Sequence, residues 1–161
     1  FQLPKESFDS GKTLGSGIGE SLRNSGLKRK EVREKVAELL STCGLTPNFA
    51  ERYPGEVSGG ECQRAAIARA LAVEPSLLIC DEATSALDVT VQKQILELLL
   101  RLKNEKKLSF LFISHDLALV QAFCDRVLVM YQGEIVEEGK TEDVISRPKE
   151  AYTRQLIDSV L

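Results

Sequence analysis

Two adjacent carboxylates, Asp81 and Glu82, stand directly after the unbroken apolar run Leu77–Cys80. A run that is apolar at every position predicts a parallel-sheet strand buried on both faces, so the two acids lie where that strand ends. Such a pair can support the attack of water on a phosphate. One carboxylate holds Mg²⁺, usually through water, while the next orients the attacking water molecule. The alternative is a strand end that is charged only because it meets solvent.

A second candidate is the sequence Ser58–Gly59–Gly60–Glu61 at the start of a helical segment that continues to Leu71. A hydroxyl group and two backbone amides without side chains form an anion site at a helix N-terminus, because the unpaired N–H groups and the helix dipole both favour phosphate. The plainer alternative is a serine cap followed by a glycine turn. The residues alone leave both interpretations open.

A predicted strand–helix–strand unit positions these candidates. Asp88 can cap a long helix with an apolar face, and Phe110–Ile113 repeats the buried-strand pattern shortly before His115, the one histidine of the chain. In open α/β sheets the ligand crevice lies beyond the carboxyl ends of the strands. We therefore expect two adjacent parallel strands that bring His115 to the same edge as the two acids.

Apolar spacing and turn residues predict the other elements. Residues 1–30 are rich in Gly, Ser and Lys and are expected to be mostly loop. An amphipathic helix is expected over Glu31–Cys43, a hairpin around Gly133, and two short helices in the tail on either side of Pro148. The length of 161 residues corresponds to one ordinary domain or a piece of one.

Composition excludes several classes of protein. With 43% apolar and 28% charged residues the chain is globular, neither disordered nor fibrous. A net charge of −3 gives no chain-wide electrostatic reason to bind nucleic acid. No window approaches the roughly 18 apolar residues of a spanning helix, and the four cysteines form no C-x-x-C pair, so a cytosolic protein without a structural zinc site is expected.

Four motifs follow one another between residues 57 and 116, and they read VSGGECQR, LLICDE, SALD and FISHD. In this order they resemble the signature motif, Walker B motif, D-loop and H-loop of the ATP-binding cassette (ABC) ATPases. The stretches RYPGEVSGG, AIARALAVEP and DEATSALDVTVQ, with the tail RPKEAYTRQLIDSV, resemble the peptide and nickel importer branch of that family. Gln2 resembles the Q-loop glutamine, although Leu3–Pro4 follows it where the family has Asp-Pro.

The resemblance implies a role for each matching residue. Asp81 would bind Mg²⁺ through water, Glu82 would polarise the hydrolytic water, and His115 would contact the γ-phosphate. Gln2 would link Mg²⁺ to the coupling helix of a membrane subunit. Asp88 would cross the interface between two ATPase subunits, with helix capping as an equally good structural duty.

The same resemblance makes residues 58–61, called the signature turn below, part of the nucleotide site. Ser58 and Gly60, with Gly59 between them, would clamp the γ-phosphate of a nucleotide held by a partner subunit. Glu61 stands where the family has glutamine, which places a carboxylate near the phosphates.

The implied fold is α/β, a partial P-loop NTPase (ABC ATPase) fold with a parallel sheet core and a helical signature subdomain. The subdomain would span about residues 20–75, the core 76–140 and a helical tail 141–161. A P-loop requires G-x-x-x-x-G-K-[ST] after a strand, and the Gly11–Lys12–Thr13 sequence has Glu6 where the first glycine should be. We therefore expect a fragment that begins after the P-loop, exposes apolar sheet surface and binds ATP poorly by itself.

The implied function is ATP binding and Mg²⁺-dependent hydrolysis that drives an importer of peptide- or nickel-type solutes. The implied partners are a second ABC ATPase subunit, transmembrane permease subunits and, indirectly, a solute-binding protein. The implied location is the cytoplasmic face of the membrane. Binding to nucleic acid is not expected. Two alternatives stay open, a soluble ABC ATPase that acts on nucleic acid or the ribosome, and an inactive truncated product. Soluble members tend to carry coiled-coil heptads, zinc cysteine pairs or a second cassette, and the sequence has none of these.

Overall fold

The computed structural model describes residues 5–82 and 87–159, which belong to two compact units, residues 1–111 and 112–161. The first unit contains, in chain order, helices α1 (Leu14–Ile18), α2 (Glu20–Asn24), α3 (Arg29–Thr42) and α4 (Gly59–Leu71), strand β1 (Leu77–Asp81), helix α5 (Val89–Lys106) and the first part of strand β2 (Ser109–Ile113). Two short 3₁₀ turns, Pro47–Glu51 and Pro54–Glu56, connect α3 to α4. None of the described helices is both long enough and apolar enough to cross a membrane.

The α/β class is confirmed, because β1 and β2 pair in a parallel two-stranded sheet with α5 between them in the chain. The prediction that β1 is buried on both faces is wrong. Leu78 and Cys80 are buried on the side of α4 and α5, whereas Leu77 and Ile79 on the other side are 50% and 51% exposed. Among the described residues only one face of the strand is packed against helices, so the expected exposed apolar surface is present.

Residues 1–30, which were predicted to be mostly loop, also contain two five-residue helices, α1 and α2. The hydroxyl of Thr13 caps α1 by accepting a hydrogen bond from the backbone N–H of Ser16 at 3.3 Å. Leu14 and Ile18, one helical turn apart, are fully buried. A Cβ at Gly15 would lie 2.6 Å from the carbonyl oxygen of Ala50, so this glycine permits close packing and does not mark a turn.

The three predicted helices of the first unit are present, and α5 is the long helix expected after Asp88. The Glu31–Cys43 prediction corresponds to α3, which begins two residues earlier, at Arg29, and buries the four expected side chains Val32, Val36, Leu39 and Leu40. The helix predicted to open at the signature turn is α4, and it contacts α1, α3 and α5. The first turns of α4 and α5 lie side by side, because Gly60 is close to Val91.

The second unit contains helix α6 (Leu117–Phe123), strands β3 (Arg126–Tyr131) and β4 (Glu134–Lys140), and helices α7 (Thr141–Ser146) and α8 (Ala151–Asp158). The predicted hairpin is confirmed: β3 and β4 are antiparallel, and their loop residues Gln132 and Gly133 both have positive φ, 50° and 86°. Two positive φ values are typical of the type I′ turn, whose twist matches paired strands.

A buried carboxylate fixes the predicted tail helices to this hairpin. Glu137 of β4 accepts hydrogen bonds from the backbone N–H groups of Lys149 and Glu150, at 3.0 and 3.1 Å. Burial raises the pKa of Glu137, but these bonds and the nearby Thr153 hydroxyl outweigh it and keep the pKa below its usual value. The carboxylate therefore holds the start of α8 against β4.

Candidate active site

The signature turn is closed by a reciprocal pair of hydrogen bonds at the start of α4. The Ser58 hydroxyl accepts from the backbone N–H of Glu61 at 3.3 Å, and the Glu61 carboxylate accepts from the backbone N–H of Ser58 at 2.8 Å. This capping box satisfies two of the N–H groups that a helix start leaves unpaired. The amide and hydroxyl of Ser58 lower the pKa of Glu61 from 4.5, so its carboxylate is ionised at neutral pH.

The capping interpretation of the signature turn is therefore confirmed, and the anion-site interpretation stays a prediction. The Ser58 oxygen is used as a helix cap, but its O–H hydrogen remains available to a ligand because a hydroxyl donates and accepts independently. Ser58 is exposed, so an anion can reach it. The Glu61 carboxylate is turned back onto the chain at Ser58, which reduces the repulsion that its charge would exert on a phosphate.

The two glycines of the signature turn allow α4 to approach α5 closely. A Cβ on Gly60 would lie only 2.5 Å from Cγ1 of Val91, and one on Gly59 would lie 3.4 Å from Cδ2 of Leu87. Gly60 is buried at this contact, whereas Gly59 is partly exposed. The structure thus brings the signature turn next to the end of the motif SALD.

Asp88 caps α5, as the sequence predicted. Its Oδ1 atom accepts a hydrogen bond from the backbone N–H of Val91 at 3.0 Å. The residue is exposed, so the cap does not bury its second carboxylate oxygen. Capping is therefore established, and a role at a subunit interface stays a prediction.

The two acids follow β1 as expected. Asp81 is the last residue of the strand, Glu82 comes next, and both side chains are partly exposed. Glu82 adopts a φ of 46°, in the left-handed region that residues other than glycine rarely occupy. The two carboxylates offer the hard oxygen ligands that Mg²⁺ prefers, although the described residues contain no group of three metal-binding side chains. Mg²⁺ commonly takes one or two protein carboxylates and completes its shell with water and substrate phosphates, so this pair fits.

His115 lies between β2 and α6 and is exposed. Its neighbours order this connection: the Ser114 hydroxyl accepts from the Asp116 N–H at 3.0 Å, and Asp116 caps α6 through the Leu119 N–H at 3.1 Å. The histidine belongs to the second unit and the two acids to the first. A common edge for His115, Asp81 and Glu82 therefore stays a prediction.

Some candidates fall outside the described residues. These are Gln2, with its proposed Mg²⁺ contact, and Ser85 and Ala86 of the motif SALD. Two features of the site were missed from the sequence. The left-handed backbone of Glu82 has no sequence signal, whereas the close approach at Gly60 could have been inferred from two consecutive glycines inside a capped helix.

Comparison with known proteins shows the family to which the chain is similar. The profile of the family described as "ABC transporter" matches residues 4–85, just over half of the chain. The oligopeptide transport ATP-binding protein OppF of Escherichia coli K12 is 49% identical over 162 residues, covering 99% of this chain and 48% of that protein. The glutathione import ATP-binding protein GsiA of Pectobacterium atrosepticum is 50% identical over 161 residues, covering 99% of this chain and 26% of that protein. The chain thus spans about half the length of OppF.

Solved structures show the same fold. CbiO1 of Clostridium perfringens, part of the ABC transporter complex cbiONQ, matches with a TM-score of 0.80 and 28% identity over 91% of this chain and 58% of that one. The ATP-binding cassette MJ0796, solved as a dimer bound to ADP and Pi, matches with a TM-score of 0.75 and 30% identity over 88% of this chain and 61% of that one. By its motifs, its fold and its matched residues, the chain belongs to the ABC transporter family.

Proposed function

We propose that this chain is part of the ATP-hydrolysing subunit of a peptide importer. The observation that carries the proposal is the 49% identity with the oligopeptide transport protein OppF over 99% of the chain. A shared fold alone would leave the reaction open, because one fold supports many functions. Here the match covers 99% of the chain, so it includes Ser58, Asp81, Glu82 and His115.

The signature turn would bind the γ-phosphate of an ATP molecule held by a second ATPase subunit. Ser58 would donate its O–H, and the first amides of α4, at Gly59 and Gly60, would donate their N–H groups along the positive end of the helix dipole. Glu61 would not touch the phosphate, because its carboxylate stays on the Ser58 amide in the capping box. Asp88, next to this turn, would face the same partner subunit.

Asp81 and Glu82 would perform the hydrolytic chemistry at the end of β1. Asp81 would hold Mg²⁺ through water, and Gln2 would contribute a further ligand; the metal would neutralise charge on the phosphates. Glu82 would accept a proton from the attacking water as general base, and His115 would hydrogen-bond the γ-phosphate. These assignments rest on the resemblance to the ABC ATPases, and for Asp81, Glu82 and His115 also on their positions after strands.

The proposed setting is the cytoplasmic face of the membrane. There the subunit pairs with a second ABC ATPase subunit and with transmembrane permeases that receive solute from a binding protein. The names of OppF and GsiA favour peptides, including the tripeptide glutathione, over nickel as the solute. Within the subunit, residues 20–75 would form the helical signature subdomain, 76–140 the catalytic core and 141–161 the tail.

The test is Glu82→Gln in the complete protein assembled with its partner subunits. The amide keeps the shape of the side chain but cannot take a proton, so turnover should fall by about 100-fold or more while ATP still binds. Glu105→Gln, an exposed change on α5, is the matched control and should keep wild-type turnover. Undiminished hydrolysis in Glu82→Gln would assign the base to another residue, and absence of hydrolysis in the wild type would refute the proposed function.

A further inference from the structure

The corner between α2 and α3 carries a concentration of positive charge. Residues 23–33, called the basic corner below, contain five Arg and Lys side chains and a single carboxylate, that of Glu31. The corner therefore has a net charge of +4 within a chain whose total is −3. All five cationic residues are exposed: Arg23, Lys28, Arg29, Lys30 and Arg33.

Most of this charge is not neutralised inside the protein. Among the described residues, no carboxylate forms an ion pair with Lys28, Arg29 or Arg33. The ammonium of Lys30 lies 3.9 Å from the carboxylate of Glu34, and both side chains are largely exposed, so this pair is weak. The basic corner therefore presents its charge to the surroundings of the protein.

The position of these cations is unfavourable for the fold. Lys28 is the N-cap residue of α3, and Arg29 and Lys30 are its first two helical residues. The positive end of the helix dipole lies there and favours anionic side chains over cationic ones. Glu31 follows that rule, since its carboxylate accepts a hydrogen bond from the backbone N–H of Lys28 at 2.7 Å. Three cations placed against a local rule, with no compensating ion pair, indicate a functional site.

Leu27 adds an apolar side chain to the basic corner. It is 37% exposed and lies between Gly26 and Lys28 in the connection from α2 to α3. Its backbone N–H donates to the carbonyl oxygen of Leu22 at 3.2 Å, which holds the connection in place. An apolar side chain beside several cations suits the surface of a bilayer, where cations meet lipid phosphates and apolar groups reach the acyl chains. The phosphates of a nucleic acid offer no such apolar layer.

We propose that the basic corner is a contact surface for anionic phospholipid headgroups. Its cations would lie against the headgroup phosphates, and Leu27 would enter the layer beneath them. The rest of the chain is net negative and is repelled by the same membrane, so the protein would approach it with this corner. The inference rests on the proposed function in one respect, that the subunit works beside a membrane.

The experiment measures binding of the complete protein, without permease subunits, to sedimenting lipid vesicles. Vesicles of phosphatidylcholine alone are compared with vesicles that contain phosphatidylcholine and phosphatidylglycerol in equal parts. The corner variant combines Lys28→Gln, Arg29→Gln and Lys30→Gln, and a separate variant carries Leu27→Ser. Thermal unfolding of each variant is measured without lipid.

A matched control removes the same charge from another part of the surface. The control variant combines Lys93→Gln, Lys106→Gln and Lys107→Gln, which are three exposed positions in α5 and at its C-cap. A duplex DNA oligonucleotide serves as the competing anionic ligand. Co-purification with permease subunits is followed in parallel for the corner and control variants.

The wild type should bind the phosphatidylglycerol vesicles, and high salt should abolish this binding because it screens exposed charges. Each cation near an anionic membrane raises the binding constant about fivefold, so the corner variant should bind about 100-fold more weakly. The control variant should stay within about twofold of the wild type, because its charges lie beyond the screening distance. Leu27→Ser should weaken binding without changing its salt dependence. The corner variant should unfold at a higher temperature than the wild type, because it removes cations from a helix N-terminus.

Several results would overturn the inference. These are equal vesicle binding by the corner and control variants, and equal binding of the wild type to both kinds of vesicle. Tighter binding to the DNA duplex than to the vesicles, lost in the corner variant, would assign the corner to nucleic acid. Unchanged vesicle binding with loss of the permeases would assign it to a protein contact. If the wild type hydrolyses no ATP, the proposed function fails, while the vesicle data, which need no nucleotide, still decide whether the corner binds lipid.

Discussion

Gly60→Ala tests the close contact between the signature turn and α5. The added Cβ would lie 2.5 Å from Cγ1 of Val91, where carbon atoms normally stay about 3.5–4.0 Å apart. Val91 is β-branched and lies in a helix, so its χ1 angle has one strongly preferred value. The side chain cannot turn away cheaply, and one of the two helix ends must therefore move.

Two opposing effects set the size of the change. Overpacking costs about 1–3 kcal/mol, while replacing a helical glycine by alanine recovers about 0.5–1 kcal/mol, which leaves a net loss of up to about 2.5 kcal/mol. For a chain of this size, that loss lowers Tm by up to about 10 °C. The sign is the decisive part, because alanine at an open helical position would raise the stability.

Thermal and urea unfolding of the complete protein would measure the effect. Gly55→Ala is the matched control, since a Cβ there meets no atom within 4 Å. Val91→Ala supplies the compensating change, and the destabilisation by Gly60→Ala should largely disappear in the Val91→Ala background. The reasoning would be refuted if Gly60→Ala were as stable as Gly55→Ala, or if it cost the same free energy in both backgrounds.

Three further outcomes are expected. Asp88→Ala should lower the free energy of unfolding by about 1 kcal/mol, and Asp88→Asn, which keeps a capping oxygen, by much less; equal urea midpoints would contradict the cap. Because the pKa of Glu61 is lowered in the folded state, its ionised form stabilises the protein above pH 4.5, and this contribution disappears as the pH falls through the lowered pKa. The stability difference between wild type and Glu61→Gln, followed by urea unfolding from pH 7 to 3, should shrink in that window and stay constant above it. Glu137→Gln should cost about 1–3 kcal/mol and speed exchange of the two amides it holds, whereas the exposed Glu138→Gln should change neither.

Local rules predicted the parts of the site that depend on neighbours in the chain. The sequence offered a cap at Ser58 as one of two interpretations and predicted a cap at Asp88, because a cap is recognised by its own side chain and the few residues after it. The hairpin loop was identified from Gly133 for the same reason, since a positive φ is a property of one residue. The membership of the ABC family followed from the order of four short motifs.

Features that depend on tertiary contacts were not predicted. Gly15 and Gly17 suggested a loop, yet both lie in α1, where the lack of a side chain allows the backbone of Ala50 and the ring of Phe8 to come close. Packing here outweighs the low helix propensity of glycine. The apolar run of β1 fits a strand covered on both faces, but nothing in it reveals that Leu77 and Ile79 remain half exposed among the described residues.

The requirements of stability and of activity conflict at Glu82, because its backbone is left-handed. A non-glycine residue held there costs about 1 kcal/mol that glycine would not, because its Cβ crowds the following carbonyl. Selection for a more stable protein would therefore favour glycine at this position, and the same substitution would remove the proposed general base. Engineering of this chain for heat resistance should therefore leave Glu82 unchanged and introduce stabilising substitutions at other positions.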